Sequence, residues 1–259
     1  SDVDAGSLQS TQEEEIQTFD TQQAGPVVLQ ESLPNPLASN EAEKQFVFSN
    51  NKFRAVLSNL SGGSLLSYTL KTSDSQQFMG GYGDDGNYNE LMPVSLISNS
   101  QKRCAPCIQT VDNNGNVVLQ DVPFELISSS GFSSSTDFIV SHGRKDPRIV
   151  FESTHIKDFV IRKTITVPRD GFVINHHIEI TKNKGAISSV GLVWDKGLRN
   201  TEQNIPDEIT YSLSSVGINK TIENIALTPT SISDVLEKKS YSNADWAAIR
   251  NKYFIVALV

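Results

Sequence analysis

The two cysteines of the chain, Cys104 and Cys107, flank Ala105 and Pro106 in the CxxC spacing found in redox enzymes and in metal sites. Redox catalysis needs a helix that begins at the first cysteine, because the helix N-terminus lowers the pKa of the thiol. The residues that follow read instead as a strand and an Asn/Gly turn, and no second cysteine pair completes a structural zinc site. The pattern favours a local disulfide or two free thiols in a loop, and the compartment decides between them.

The adjacent residues His176 and His177 are the other candidates for chemistry. They fall in a stretch with period-2 alternation, and neighbours on a strand point to opposite faces, so the two rings cannot easily hold one metal ion. We expect His176 to be a hydrogen-bonded core residue, because it lies on the apolar face of the predicted strand. His177 and Glu179 share the polar face and could form an acid–base pair.

Composition excludes several classes of function. The formal charge of −8 and the sequence pI near 5.0 argue against a nucleic-acid-binding surface and against docking on anionic lipid through net charge. The chain has no nucleophile elbow, phosphate-binding loop or dinucleotide fingerprint. The glycine-rich acidic run at residues 80–86 would repel phosphate, and residues 84–90 predict a flexible loop rather than a calcium site. No site for a cofactor or a metal is predicted.

The chemistry-bearing residues lie on predicted strands rather than helices. From residue 45 onward, runs rich in Val, Ile, Phe and Thr alternate with clusters of Gly, Asn, Asp and Ser. The clearest unit is a hairpin of residues 159–167 and 172–180, whose first strand carries Lys163 on its otherwise apolar face. Further strands are predicted at residues 45–48, 53–59, 108–111, 117–119, 124–127, 137–140, 149–152, 188–194, 209–213 and 252–258. Only residues 231–239 read as a short helix.

Residues 1–44 differ from the rest of the chain. They are rich in Gln, Glu, Asp, Ser and Ala, contain three prolines and have few large apolar side chains. Such a segment cannot bury enough surface to offset its ordering entropy, so we expect a flexible acidic tether at 1–44 and one β domain at 45–259. The predicted fold class is all-β, with two large, mostly antiparallel sheets packed face to face.

Three stretches, taken in order, resemble the large periplasmic domain of YidC-type membrane protein insertases. They are the strand pattern of residues 46–70, the hairpin of residues 159–184 and the segment 244–259. In the last, the residues that match the family's W…(N/Q)-K/Q-Y-F motif are Trp246, Asn251, Lys252, Tyr253 and Phe254. The strand around Leu192, Val193 and Trp194 is similar to the mid-domain strand of that family.

The resemblance implies a β-supersandwich similar to galactose mutarotases, with the five motif residues in structural roles. It also implies a domain in the periplasm of a Gram-negative bacterium, part of an inner-membrane protein, with its C-terminal part beyond residue 259. The expected function is non-catalytic: the domain assists insertion and folding of membrane proteins. Its expected partners are Sec-translocon accessory subunits, nascent membrane proteins and the insertase's own membrane-embedded core, not nucleic acid. A periplasmic location permits a disulfide between Cys104 and Cys107.

Two alternatives stay open at this point. A mutarotase-like carbohydrate epimerase would use His177 and Glu179, although the Asn-Arg pair typical of those enzymes is not found in the expected stretch. A carbohydrate-binding β-sandwich would need no catalytic residues at all. A shared fold does not decide among these functions, because function resides in the site.

Overall fold

The computed structural model describes residues 42–97, 104–132, 138–139, 146–156, 158–182, 184–194, 197–226 and 244–259. Eighteen strands and one short helix occur in these residues. The first nine strands are β1 (Gln45–Ser49), β2 (Phe53–Ser58), β3 (Ser64–Ser73), β4 (Gln76–Gln77), β5 (Met79–Tyr82), β6 (Tyr88–Pro93), β7 (Cys107–Asp112), β8 (Val117–Leu119) and β9 (Glu125–Ser130). The others are β10 (Phe138–Ile139), β11 (Arg148–Glu152), β12 (Val160–Thr166), β13 (Asn175–Thr181), β14 (Ile187–Val193), α1 (Ile205–Thr210), β15 (Leu213–Ile218), β16 (Thr221–Ala226), β17 (Trp246–Arg250) and β18 (Ile255–Leu258).

The strands form several sheets, and their pairing is antiparallel except between β1 and β10. The first sheet has the order β10-β1-β2-β3-β4 and the second β13-β12-β11-β9. The other sheets have the orders β14-β7-β8, β16-β15-β17-β18 and β5-β6. The all-β, sandwich-like class predicted from the sequence is therefore confirmed, and the hydrogen bonding divides the described strands more finely than two continuous sheets.

The hydrophobic core lies between the first two sheets. Alternate residues of β2, such as Phe53, Ala55 and Leu57, are fully buried, as the period of two requires. Phe46 of β1 meets Phe151 of β11 edge to face, with ring centroids 5.3 Å apart. Since these rings belong to different sheets, the contact joins the two layers of the sandwich.

The β12–β13 hairpin matches its prediction on the first strand and differs on the second. The register pairs Ile165 with His176 and Val160 with Thr181, but β13 begins at Asn175 rather than Phe172. Phe172 is instead 55% exposed, and its carbonyl accepts a hydrogen bond from the Tyr68 hydroxyl at 2.8 Å. This contact with the first sheet holds the residues after the turn outside the ladder.

Asn50 connects the turn between β1 and β2 with the turn between β12 and β13. Its Oδ1 accepts hydrogen bonds from the amides of Lys52 and Phe53, at 2.8 and 2.9 Å. Its Nδ2 donates to the carbonyls of Pro168 and Gly171, at 2.9 and 3.2 Å. One nearly buried side chain thus satisfies backbone groups in both layers of the sandwich.

One predicted strand is wrong. Residues 209–213 were expected to be extended, but α1 occupies Ile205–Thr210 and β15 begins only at Leu213. Asn204 caps the helix through Oδ1, which accepts from the Asp207 amide at 3.3 Å, and Pro206 lies in the first turn. These are ordinary signals of a helix start, and they outweigh the strand propensity of the isoleucines.

Some further segments differ from the sequence-based prediction, and others lie outside the described residues. Of the predicted loop at residues 84–90, residues 84–87 form the turn between β5 and β6, whereas residues 88–90 belong to β6. The β15–β16 hairpin and β17 were not predicted. The tether lies outside the described residues except for its last three, and so does the predicted helix at 231–239. Within the described ranges, no helix has both the length and the apolar character needed to cross a bilayer.

Candidate functional site

The aromatic and polar motif near the end of the chain forms the best-defined polar cluster, centred on Asn251. The Asn251 side chain donates to Oε1 of Glu208 at 2.6 Å. Its Oδ1 accepts from the amides of Tyr253 and Phe254, at 3.1 and 2.8 Å, which fixes the turn between β17 and β18. Asn251 therefore connects the C-terminal hairpin with α1.

Glu208 is fully buried and accepts hydrogen bonds on both carboxylate oxygens. The Thr201 amide reaches Oε1 and Oε2 at 3.0 and 2.9 Å, and the Thr201 hydroxyl reaches Oε1 at 3.0 Å. The Glu202 amide adds a longer contact of 3.3 Å. A buried carboxylate is tolerated when neighbouring donors replace its hydration, and these donors, with Asn251, do so.

Lys252 extends the same cluster at its surface. The Lys252 ammonium lies 2.5 Å from Oδ2 of Asp207, and this hydrogen bond raises the pKa of Lys252. The same ammonium lies 5.1 Å from the ring centroid of Tyr253. Phe254 packs against the main core. These contacts join the C-terminal hairpin to α1 and to the core, so they suit a structural role.

Trp246 pairs with Gly217 across β17 and β15, and its indole covers the glycine. A methyl group at position 217 would overlap the ring. We expect Gly217→Ala to lower the free energy of unfolding by about 2 kcal/mol, because the indole must leave its position. Gly191→Ala is the matched control, since a methyl on this strand glycine meets nothing within 4 Å. Urea denaturation of both variants measures the difference; equal stabilities would contradict this account of Trp246.

The CxxC pair lies at the start of β7, away from this cluster in sequence and sheet. Cys104 and Cys107 are buried and joined in a disulfide, with Cα atoms 4.8 Å apart. The loop is tied to the start of β3 and to the turn before it: the Ala105 amide donates to Ser64 Oγ at 3.0 Å and the Ile108 amide to Ser61 Oγ at 2.7 Å. Burial and the lack of a following helix argue for a structural bond rather than a redox centre.

The disulfide gives a direct prediction. In protein exported to the periplasm and then denatured, we expect iodoacetamide to label neither cysteine until a reductant is added. Because the closed loop is very short, removal of the bond should cost no more than about 2 kcal/mol. Mass spectrometry of the alkylated protein counts the thiols, and full labelling without reductant would contradict the bond.

The candidate acid–base pair is formed but open to solvent. His177 Nε2 lies 3.5 Å from Glu179 Oε1 on the outer face of β13, with side chains 71% and 49% exposed. General acid–base catalysis on a sugar requires groups that converge on a bound substrate, and this pair lines no described pocket. Likewise, no group of three or more potential metal ligands is found in the described residues.

His176 lies on the inner face of β13 as predicted and is half-buried, but it is not fully hydrogen-bonded. Its Nδ1 has no hydrogen-bond partner in the part of the chain that the structure describes. Burial, together with the nearby Lys163, lowers the pKa of His176 to about 3, so the ring is neutral at ordinary pH. The expectation of a satisfied core histidine is therefore wrong at this nitrogen.

Lys163, like Glu208, is a fully buried ionisable group whose burial was not predicted from the sequence. It was noted only as an interruption of an apolar face, yet its side chain is completely buried. Its Nζ donates to the carbonyls of Ser61 and Gly63 at 3.3 and 3.2 Å, and burial lowers its pKa to about 7. The partners come from a turn about a hundred residues earlier, which no local pattern reveals.

The chain has clear relatives. The family model of the YidC periplasmic domain matches residues 47–259. The membrane protein insertase YidC of Chlorobium phaeovibrioides is 25% identical over 224 residues, which cover 86% of this chain and 35% of that protein. The insertase YidC of Chlorobaculum tepidum is 24% identical, with 86% and 34% covered. The chain thus spans about a third of the length of these relatives. Because the family model covers most of the chain, the protein belongs to the family of YidC periplasmic domains.

Proposed function

We propose that this chain is a non-catalytic accessory domain that assists a membrane protein insertase in the insertion and folding of membrane proteins. The match of the YidC periplasmic domain to residues 47–259 is the observation that carries the proposal. The contacts of the Asn251 cluster support the proposal, because its hydrogen bonds join α1 to the C-terminal hairpin.

The proposed partners are Sec-translocon accessory subunits, nascent membrane proteins and the membrane-embedded core of the same insertase. Strand β9 is the contact surface that we propose for the Sec accessory subunit. All six of its residues are exposed, and it is the last strand in the order of the second sheet. It contains neither lysine nor proline, the residues that usually protect an edge from pairing. An extended segment of a partner can therefore add to this edge.

Site-specific photo-crosslinking in the full-length insertase tests this surface. A photoreactive residue at Ile127 of β9 should give an adduct with a translocon accessory subunit. The matched control is Ile222, another exposed isoleucine on an edge strand of a different sheet. Adducts of the same partner from both positions, or none from Ile127, would contradict the assignment of β9.

Sugar epimerisation is the alternative that the His177–Glu179 pair would support. Since both side chains are largely in water, we expect no acceleration of glucose or galactose mutarotation by the purified domain. Polarimetry measures the rate, with His177→Ala as the comparison. An acceleration that disappears in this variant would favour the enzyme over the accessory domain.

A further inference from the structure

A polar pocket of about 570 Å³ lies on the outer face of the first sheet, opposite the core. Arg54 pairs with Ser49 on one side and with Thr69 on the other, and Lys71 lies two residues after Thr69 on β3. By the period of two, Ser49, Arg54 and Lys71 project from the same face. The turn after β3 and strand β4 border this pocket, which is open to solvent. Its lining residues are Ser49, Arg54, Lys71, Asp74, Ser75, Gln76, Gln77 and Met79.

Lys71 is a nearly buried cation whose partners are neutral. Its Nζ donates to the carbonyl of Asn50 at 2.6 Å and to the hydroxyl of Ser49 at 3.2 Å. An ammonium group has three N–H donors, so these two contacts leave one donor. Within the described chain, no carboxylate forms an ion pair with it. Burial of a cation without a counter-ion is costly, and an anionic ligand would offset that cost.

Arg54 supplies a second cation in the same pocket. Arg54 is half-buried, and its guanidinium makes neither a hydrogen bond nor an ion pair with any described residue. Asp74, the acidic member of the lining, is exposed and pairs with neither cation. The pocket therefore keeps a local positive charge in a chain whose formal charge is −8.

We propose that this pocket binds the phosphoryl group of a small phosphate ester. A guanidinium fork beside a lysine ammonium is a combination well suited to phosphate oxygens. The volume exceeds that of the phosphoryl group alone, and the hydroxyl and amide groups of Ser75, Gln76 and Gln77 can bind the alcohol part of the ester. Two sources share this chemistry: a soluble phosphate ester and the headgroup of a phospholipid.

Two binding assays on the 259-residue chain separate these sources. The first titrates glycerol 3-phosphate by calorimetry, with glycerol as the uncharged comparison. The second measures cosedimentation with phosphatidylglycerol vesicles, with phosphatidylcholine vesicles as the comparison. Binding of the soluble ester supports a metabolite-type ligand, whereas binding only to phosphatidylglycerol vesicles supports a lipid headgroup.

Arg54→Gln is the decisive variant, because it removes the unpaired cation from the outer face and leaves the core intact. We expect it to weaken binding about tenfold or more in whichever assay is positive. Arg148→Gln is the matched control, since Arg148 is an exposed strand arginine outside the pocket, and it should leave binding unchanged. Lys71→Met should weaken binding as well; should it fail to fold, Arg54→Gln decides alone. No binding in either assay, or equal binding by the two arginine variants, would overturn the proposal.

Discussion

The stability of the domain should rise by roughly 5 kcal/mol as the pH increases from about 7 to 10.5, because of Lys163. Its ordinary pKa is 10.5, and burial lowers the folded-state pKa to about 7. Between these values the folded protein holds a neutral amine, while the unfolded chain takes up a proton. Unfolding therefore binds a proton, and higher pH favours the folded state. Below pH 7 the folded state bears the full cost of the buried charge.

Lys163→Met isolates this effect. Methionine fills a similar volume without the charge, so the variant should lose the pH dependence and exceed the parent in stability at pH 6. Urea denaturation between pH 7.5 and 9 avoids the contribution of His176, whose pKa returns from about 3 to its ordinary 6.5 on unfolding. It also stays below the titration of Tyr68, whose pKa is raised by burial. Lys220→Met, at an exposed lysine of the β15–β16 turn, should keep the parent's slope. A slope unchanged in Lys163→Met would refute the assignment.

Glu208→Ala should lower the free energy of unfolding by about 4 kcal/mol. The substitution leaves the amide and hydroxyl of Thr201 and the side-chain amide of Asn251 without their acceptor in a buried site. Each buried donor without a partner costs about 1–3 kcal/mol. The same change detaches α1 from the turn between β17 and β18, so the loss should appear as a lower denaturant midpoint.

The matched control is Glu179→Ala, which removes an exposed carboxylate from β13. Its effect should stay within about 0.5 kcal/mol, as is usual for surface sites. Chemical denaturation at pH 7 compares the two variants with the parent. Similar midpoints for both would mean that the Glu208 hydrogen bonds do not hold the C-terminal sheet in place.

The local sequence pattern was sufficient to predict the fold class and the family. The alternation along β12 predicted that Ile161, Lys163 and Ile165 share a face, and all three are buried. The resemblance read from the Trp246 segment and the β12–β13 hairpin is confirmed by the family match over residues 47–259. Periplasmic localisation of the domain follows from that membership.

Contacts between distant segments could not be predicted in the same way. The acceptors of Lys163 lie in the turn before β3, and the donors to Glu208 come from Thr201 and from the C-terminal turn. Periodicity specifies which face a side chain occupies but not which remote backbone group it meets. The helix at Ile205–Thr210 is a different case: its cap and proline were visible in the sequence, and the strand propensity of nearby isoleucines was given too much weight.

The four hydrogen bonds of Asn50 have a consequence for how the sandwich opens. Two of them stabilise the turn to which Asn50 belongs, and two hold carbonyls of a turn more than a hundred residues later. Fraying of either hairpin tip would leave polar groups of the other tip without hydrogen-bond partners. The two tips are therefore expected to open together in a single subglobal fluctuation. At this end of the molecule, the backbone amides of both layers are then expected to exchange hydrogen with solvent as one cooperative unit.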